Sequence, residues 1–571
     1  MGKIKQLGSS AVNGTKKGVS YLKNNWHEPQ KEGYQISMKG FMGMNLSSMG
    51  IEGMSGVVAF LSFTSTSAVL GLIFGLSLQA TYIITSMGTV LNLLFVPIIA
   101  NITDNIGVVD KATLHKIHLG FVATVAICAG LWFAPITYFD FLLTDFLKHI
   151  AIILGIKYAS VYMYLLVYKL FGKHGKYKPW ILFMGIPTLI FAIIMVNIDY
   201  QNYRASQLLI IVNIVSTCMQ VFSVPYVESY KRMKNLLTNN NKERTTIYSV
   251  LPILSGILNS ATTTLLPIVA TLIGYEVNSI GLYKVVVPAF GVFSIATSFF
   301  ILWTEEKIKF VPEKKEQRLG FMETIKTVFA NKYLWVVYVA AAFSTLSTFD
   351  LILFNWMLLY SLREQWIMGI LLTICSLPAT PGNLLTPFLV KRFDSRKLIL
   401  SMKLLQIALV IAHIPFIFMG NKVMVMVLMT ALGCVTTLVR VPKGVMEKTA
   451  AAQALDYHQW KFGKRVDESV NYFQYITVPL MLILGYCSPY LMSLVGFVSD
   501  RDILYDSEIS NGVFVFLVIL YILELLGGTI PYFFFDLDDK KLETIRIDLE
   551  ERKRVEALKK QAEKEEASVS A

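Results

Sequence analysis

Apolar stretches of about twenty residues recur along this chain from Met42 to Phe534, each parted from the next by a short polar loop. Bilayer hydrocarbon is about 30 Å thick, which a helix of about 20 apolar residues crosses. In lipid only helices and closed barrels satisfy their backbone groups, and these runs lack the period-two alternation of barrel strands. The expected fold is therefore all-α and polytopic. A charged fraction of only 16% excludes a large soluble domain, so function must lie among the helices. The net charge of +13 could suggest nucleic acid, but in a membrane protein Lys and Arg accumulate in cytoplasmic loops. Five cysteines (Cys128, Cys218, Cys375, Cys434, Cys487) fall inside apolar runs, without metal-ligand spacing, and read as core residues. The first 35 residues are basic and polar, with no apolar core of a signal peptide.

About fourteen spans are expected, near 40–65, 70–102, 116–137, 147–171, 180–197, 206–228, 248–273, 281–303, 333–360, 365–389, 397–418, 423–442, 467–496 and 511–535. Loops after every second span are basic: Lys173, Lys176 and Lys178, then Lys231, Arg232, Lys234, Lys242 and Arg244, then Lys391, Arg392, Arg396 and Lys397. The opposite side is poor in basic residues or acidic, as at Asp500, Asp502, Asp506 and Glu508. The positive-inside rule then makes both termini cytoplasmic in a multi-pass protein of the cell membrane. The organisation expected is a cytoplasmic segment 1–35, a helical bundle 36–303, a polar linker 304–332, a second bundle 333–535 and a charged, solvated tail 536–571.

Two helical halves around a cytoplasmic linker suggest a secondary transporter. No phosphate-binding loop signature points to ATP, and no segment reads as a selectivity filter. No His/Cys/Asp cluster or nucleophile elbow points to an enzyme, and no cofactor or metal is expected.

Four segments carry a family resemblance: GKHGKYKPWIL (172–182), VPYVES…NNNKERTTIYS (224–249), ALDYHQWKFGKR (454–465) and PYFFFDLDDKKLETIRIDLEER (531–552). In this order, all on the side assigned as cytoplasmic, they resemble the glycoside–pentoside–hexuronide:cation symporters, the melibiose-permease-like branch of the major facilitator superfamily. The resemblance implies a two-bundle fold of twelve core helices. The chain departs from it over about 105–170, where two extra spans form a hairpin (about 112–170). That hairpin reads either as a lipid-facing addition at the periphery or as a partner or dimer contact.

Substrate and ion sites in such folds lie near the midplane. At 1.5 Å per residue, Glu52 lies roughly 18 Å into its span, Asn92 and Gln220 about 13 Å above the inner ends of theirs, and Tyr475 about 12 Å into its own. Each belongs to a polar stripe at helical spacing: Ser48, Glu52 and Ser55; Thr85, Thr89 and Asn92; Asn213, Ser216, Gln220 and Ser223; Glu468, Tyr472 and Tyr475. Small and hydroxyl residues also serve helix packing, whereas an intramembrane carboxylate is costly and usually functional. By the resemblance, Glu52 stands where the family's first helix has a sugar-binding Asp. Asn92 and Val96 replace the two cation-binding carboxylates of helix two, Ser223 replaces that of helix four, Pro252 replaces the sugar-binding Arg of helix five, and Pro479 stands where some members have a Lys. The family's sodium site thus reads as lost.

The leading expectation is a symporter-like carrier of a sugar, glycoside or similar small polar solute. Glu52, Asn92, Gln220, Ser223, Tyr226, Trp356 and Tyr475 would bind the solute, and Glu52 would carry a proton if transport is coupled. Asp104, Arg244, Asp456, Lys464 and Arg465 fit either a cytoplasmic gate or ordinary orientation-setting charge. Lys403 and His413 read as interface-reaching residues near span ends. An amphiphilic non-sugar cargo, or a non-transporting scaffold derived from the family, are the alternatives. Besides the solute, the partners expected are the bilayer and a proton or other cation, and no nucleic acid.

Overall fold

The computed structural model describes residues 26–28, 36–61, 78–104, 109, 111–134, 145–236, 268–276, 279–305, 326–327, 329–343, 346, 365–393, 395–462, 474–494, 507–538, 541–542, 544–545, 547–549 and 551. These residues form an all-α protein with no β-strand among them. Eight described helices are long and apolar enough to cross a membrane, and three shorter apolar helices accompany them. The chain divides into two compact units, Met1–Glu313 and Lys314–Ala571, with the boundary inside 304–332.

Unit 1 holds α1 (Met38–Leu61), α2 (Leu78–Asp104), α3 (Lys111–Phe133), α4 (Phe146–Phe171), α5 (Lys178–Phe183), α6 (Gly185–Val196), α7 (Ala205–Leu236) and α8 (Ile280–Ser298). The α1–α8 contact is close because glycines line it. A Cβ on Gly50 would collide with the Ser294 carbonyl and the Thr297 hydroxyl, and one on Gly43 would sit 2.7 Å from the Phe300 carbonyl. Small residues letting backbones approach is how helices pack in lipid, where no hydrophobic force drives association.

The basic turn 172–182 is built for a packing task. Gly175 adopts φ 137°, a conformation that a side chain would resist, and Pro179 opens α5, where its missing N–H costs nothing. Trp180 then plugs the bundle, its ring 4.4 Å from Tyr164 and 5.4 Å from Tyr168 on α4. Lys178 donates to the Thr304 carbonyl at 2.6 Å, and the Thr304 hydroxyl donates to the Gly40 carbonyl at 3.0 Å. The basic loop is thereby tied to the end of the α1–α8 pair where α1 begins and α8 finishes.

The extra hairpin differs from a unit added at the periphery. Helix α4 is integral to the bundle: His149, Ile153, Lys157, Ser160, Val161, Tyr164 and Tyr168 are buried, and α4 packs against α2 and α7. Only Ile117 of α3 is buried, while Phe133 is 82% exposed. Helix α3 is carried on α4, held by Tyr158 donating to the Ile117 carbonyl (2.7 Å), Cys128 to the Ala151 carbonyl (3.3 Å) and a His118–Tyr162 contact of 2.9 Å.

Unit 2 holds α9 (Lys332–Phe343), α10 (Gln365–Ser376), α11 (Ala379–Arg392), α12 (Ser395–Ile411), α13 (Lys422–Phe462), α14 (Gln474–Leu494) and α15 (Ser507–Thr529). Helix α13 runs 41 residues, about 60 Å at 1.5 Å per residue, so its end projects beyond any bilayer core. The start of the tail docks on this projection instead of standing wholly in solvent. Ile545 is buried in a cluster with Met446, Ala450 and Ala454, and Trp460 donates to the Asp548 carboxylate at 2.8 Å. Asn331 closes the start of α9, accepting from the Tyr333 N–H (3.0 Å) and donating to the Ala454 carbonyl (3.0 Å).

Just past α15, Asp536 receives Lys332 at 2.9 Å. Burial alone would raise its carboxyl, but hydrogen bonds from Tyr333 and Lys332 and the charges of Lys332 and Lys541 outweigh it and hold the group at about 2. The stability this contributes is complete above the ordinary carboxylate value of about 3.9 and is lost as pH falls through the folded value. Thermal unfolding followed from about pH 5 down to about pH 2.5 should therefore show a steeper acid loss for the wild type than for Asp536→Asn. The difference is expected to be small, because the pair is half-exposed.

Candidate functional site

In unit 1 half-buried polar side chains lie on α1, α2 and α7. Glu52 is half-buried on α1, close enough to the Tyr230 hydroxyl of α7 to act on it electrostatically. That hydroxyl donates to the Met44 carbonyl at 3.3 Å and lies alongside Ser48. Glu52 thus faces α7 at its polar stripe. Asn92 on α2 and Gln220 on α7 are both half-buried. Their relative depth follows from two contacts to α4: the Phe95–Tyr158 ring pair at 5.7 Å, and Asn213 against His149 at 3.2 Å. Carried along α2, α4 and α7, these pairings place Asn92 and Gln220 within about one turn, ~5 Å, of each other in height.

Two of the other expected ligands are occupied in packing. Ser223 is buried and its hydroxyl turns back to the Gln220 carbonyl at 3.4 Å. Tyr226 is 0% exposed, its ring laid on Gly185 at the start of α6 and its hydroxyl facing Ser298 without a well-formed hydrogen bond. Pro225 lies within the same helix, where its missing N–H breaks the ladder beside this tyrosine.

In unit 2, Tyr475 stands exposed near the start of α14, and Asp456 is half-buried on the projecting part of α13. Trp356, Arg244, Lys464 and Arg465 lie outside the described residues, as does the Asp104 side chain at the end of α2.

Lys403 does not reach an interface. It is 4% exposed on α12, paired with Glu447 of α13 at 2.5 Å and set over the Tyr532 ring at 4.9 Å. Glu524 of α15, 8% exposed, lies close enough to act on it electrostatically. The partners come from three helices far apart in sequence, so no local spacing announces the cluster. His413 is likewise buried, its Nδ1 2.9 Å from the Leu409 carbonyl. Among the described residues, no three His, Cys, Asp or Glu side chains gather where they could hold a metal ion.

A family profile matches residues 159–539, well over half of the chain, from the middle of α4 to just beyond α15. The chain belongs to the MFS/sugar transport protein family. With its apolar spanning helices it is a membrane transporter, of a family defined by transport rather than catalysis. No match to a curated protein accompanies this finding. Within the transporter, Gln220, Ser223, Tyr226 and Tyr475 fall inside the matched region, while Glu52 and Asn92 precede it.

Proposed function

We propose that this transporter carries a sugar, glycoside or similar small polar solute by alternating access, with Glu52 as the proton-carrying group if transport is coupled. The observation that supports it most is the set of half-buried polar side chains on α1, α2 and α7: a carboxylate and two carboxamides, the carboxamides within about one turn of each other in height. Carboxamides and carboxylates match sugar hydroxyls, the carboxamide donating and accepting and the carboxylate accepting. In this reading Glu52, Asn92 and Gln220, from α1, α2 and α7, bind the solute. The sodium-binding carboxylates of the melibiose-permease-like branch have no counterpart at Asn92, Val96 or Ser223, which favours a proton or no ion over sodium. The basic loops favour cytoplasmic termini in a cell membrane.

Asn92→Ala and Gln220→Ala test this set. Each removes a hydrogen-bonding partner from a buried polar solute, a loss of about 1–3 kcal/mol, so half-saturation for the transported glycoside should rise about 5-fold or more. Measured by exchange across proteoliposomes, an unchanged half-saturation in both variants would remove both residues from the site.

A further inference from the structure

One charged side chain of unit 1 is unused by this reading. Lys157 sits in the middle of α4, about 16 Å from its start and about 21 Å from its end, too deep for its stem to reach either interface. It is 6% exposed. Among the described residues no carboxylate forms an ion pair with its ammonium. The one hydrogen bond at this residue joins the Ser160 hydroxyl to its main-chain carbonyl. Neighbouring polar groups on α4 are already engaged: Tyr158 with Ile117, His149 with Asn213. The same two register contacts that align Asn92 and Gln220 put Lys157 within about one turn of both, on the helix that packs against α2 and α7.

A lone ammonium in a membrane interior is costly unless something neutralises it. Here the protein supplies two carboxamides at its height, whose N–H groups complement an anion, and among the described residues no carboxylate forms an ion pair with it. We propose that Lys157, flanked by Asn92 and Gln220, is the centre of an anion-binding site between α2, α4 and α7. It takes either a free inorganic anion or the carboxylate of a sugar acid. The site stands on its own geometry, and its test needs no transport.

The test is thermal unfolding of the full-length protein in nanodiscs, titrated with sodium chloride, sodium gluconate or sorbitol, the last an uncharged counterpart of gluconate. A ligand that binds only the folded state raises Tm in a saturable way. The expected result is a saturable rise with chloride or gluconate, none with sorbitol, and none with any of them in Lys157→Met. A response to chloride alone identifies a free anion; a response to gluconate alone identifies a carboxylate borne by an organic ligand. If neither anion moves the wild type, or if the response survives in Lys157→Met, the proposal is wrong. Should Lys157→Met fail to fold, Lys157→Gln is judged by the same criteria. Loss of glycoside exchange in the wild type, with the anion response intact, would overturn the sugar reading and leave this site standing.

Discussion

Glu52→Gln should abolish uphill uptake driven by a proton gradient while leaving downhill exchange intact. The substitution keeps the size and hydrogen-bonding reach of the side chain and removes the one group of the set that can gain and lose a proton. Accumulation against a gradient should therefore fall to background, a loss of about 10-fold or more, with exchange changed by less than about 3-fold. Radiolabelled uptake into proteoliposomes, with and without an imposed pH step, separates the two. Uphill uptake retained in the variant would place coupling elsewhere, and the buried Lys403–Glu447–Glu524 cluster would be the next group to change.

Gly50→Ala should be the most damaging single methyl group in unit 1. The added carbon would meet the main chain of α8 at Ser294 and lie 2.9 Å from the Ser298 nitrogen, and backbone cannot swing aside as a side-chain tip can. Overpacking costs about 1–3 kcal/mol where side chains can adjust, so a backbone collision belongs at or above the top of that range. Because Glu52 lies two residues on, relief by moving α1 would also displace the carboxylate. Gly88→Ala on α2 is the control: nothing stands within 4 Å, so the change should be neutral or stabilising by up to about 1 kcal/mol. Unfolding temperatures of the two variants in the same detergent compare them directly, and a Gly50→Ala protein as stable as the wild type would refute the α1–α8 packing.

The spans were legible because lipid imposes a length and a composition that little else imitates, and the polar stripes because helical spacing is local. What escaped the sequence was pairing between helices. Lys403 near a span end reads as a side chain bound for the interface until Glu447, 44 positions on, is seen to meet it. Nothing in the hairpin marked α4 as interior and α3 as exterior. The difference rests on which face of α4 finds Phe95, Asn213 and Trp180, and those contacts are non-local. Tyr226 shows the same limit from the other side. It was expected among the solute ligands, and the absence of a side chain at Gly185 lets its ring fill the bundle. The tail, read as solvated from its charge, hides Ile545 and Leu549, an i,i+4 pair against α13.

Counterflow addresses the central claim most directly. Proteoliposomes loaded with unlabelled glycosides are diluted into labelled ones, and transient entry of label is followed without any ion gradient. The account predicts accumulation of label for at least one neutral or acidic sugar derivative, lost or weakened in Asn92→Ala and Gln220→Ala. A flat response across the panel, from protein shown to be folded, would contradict it and turn the reading toward a non-sugar cargo or a scaffold that no longer transports.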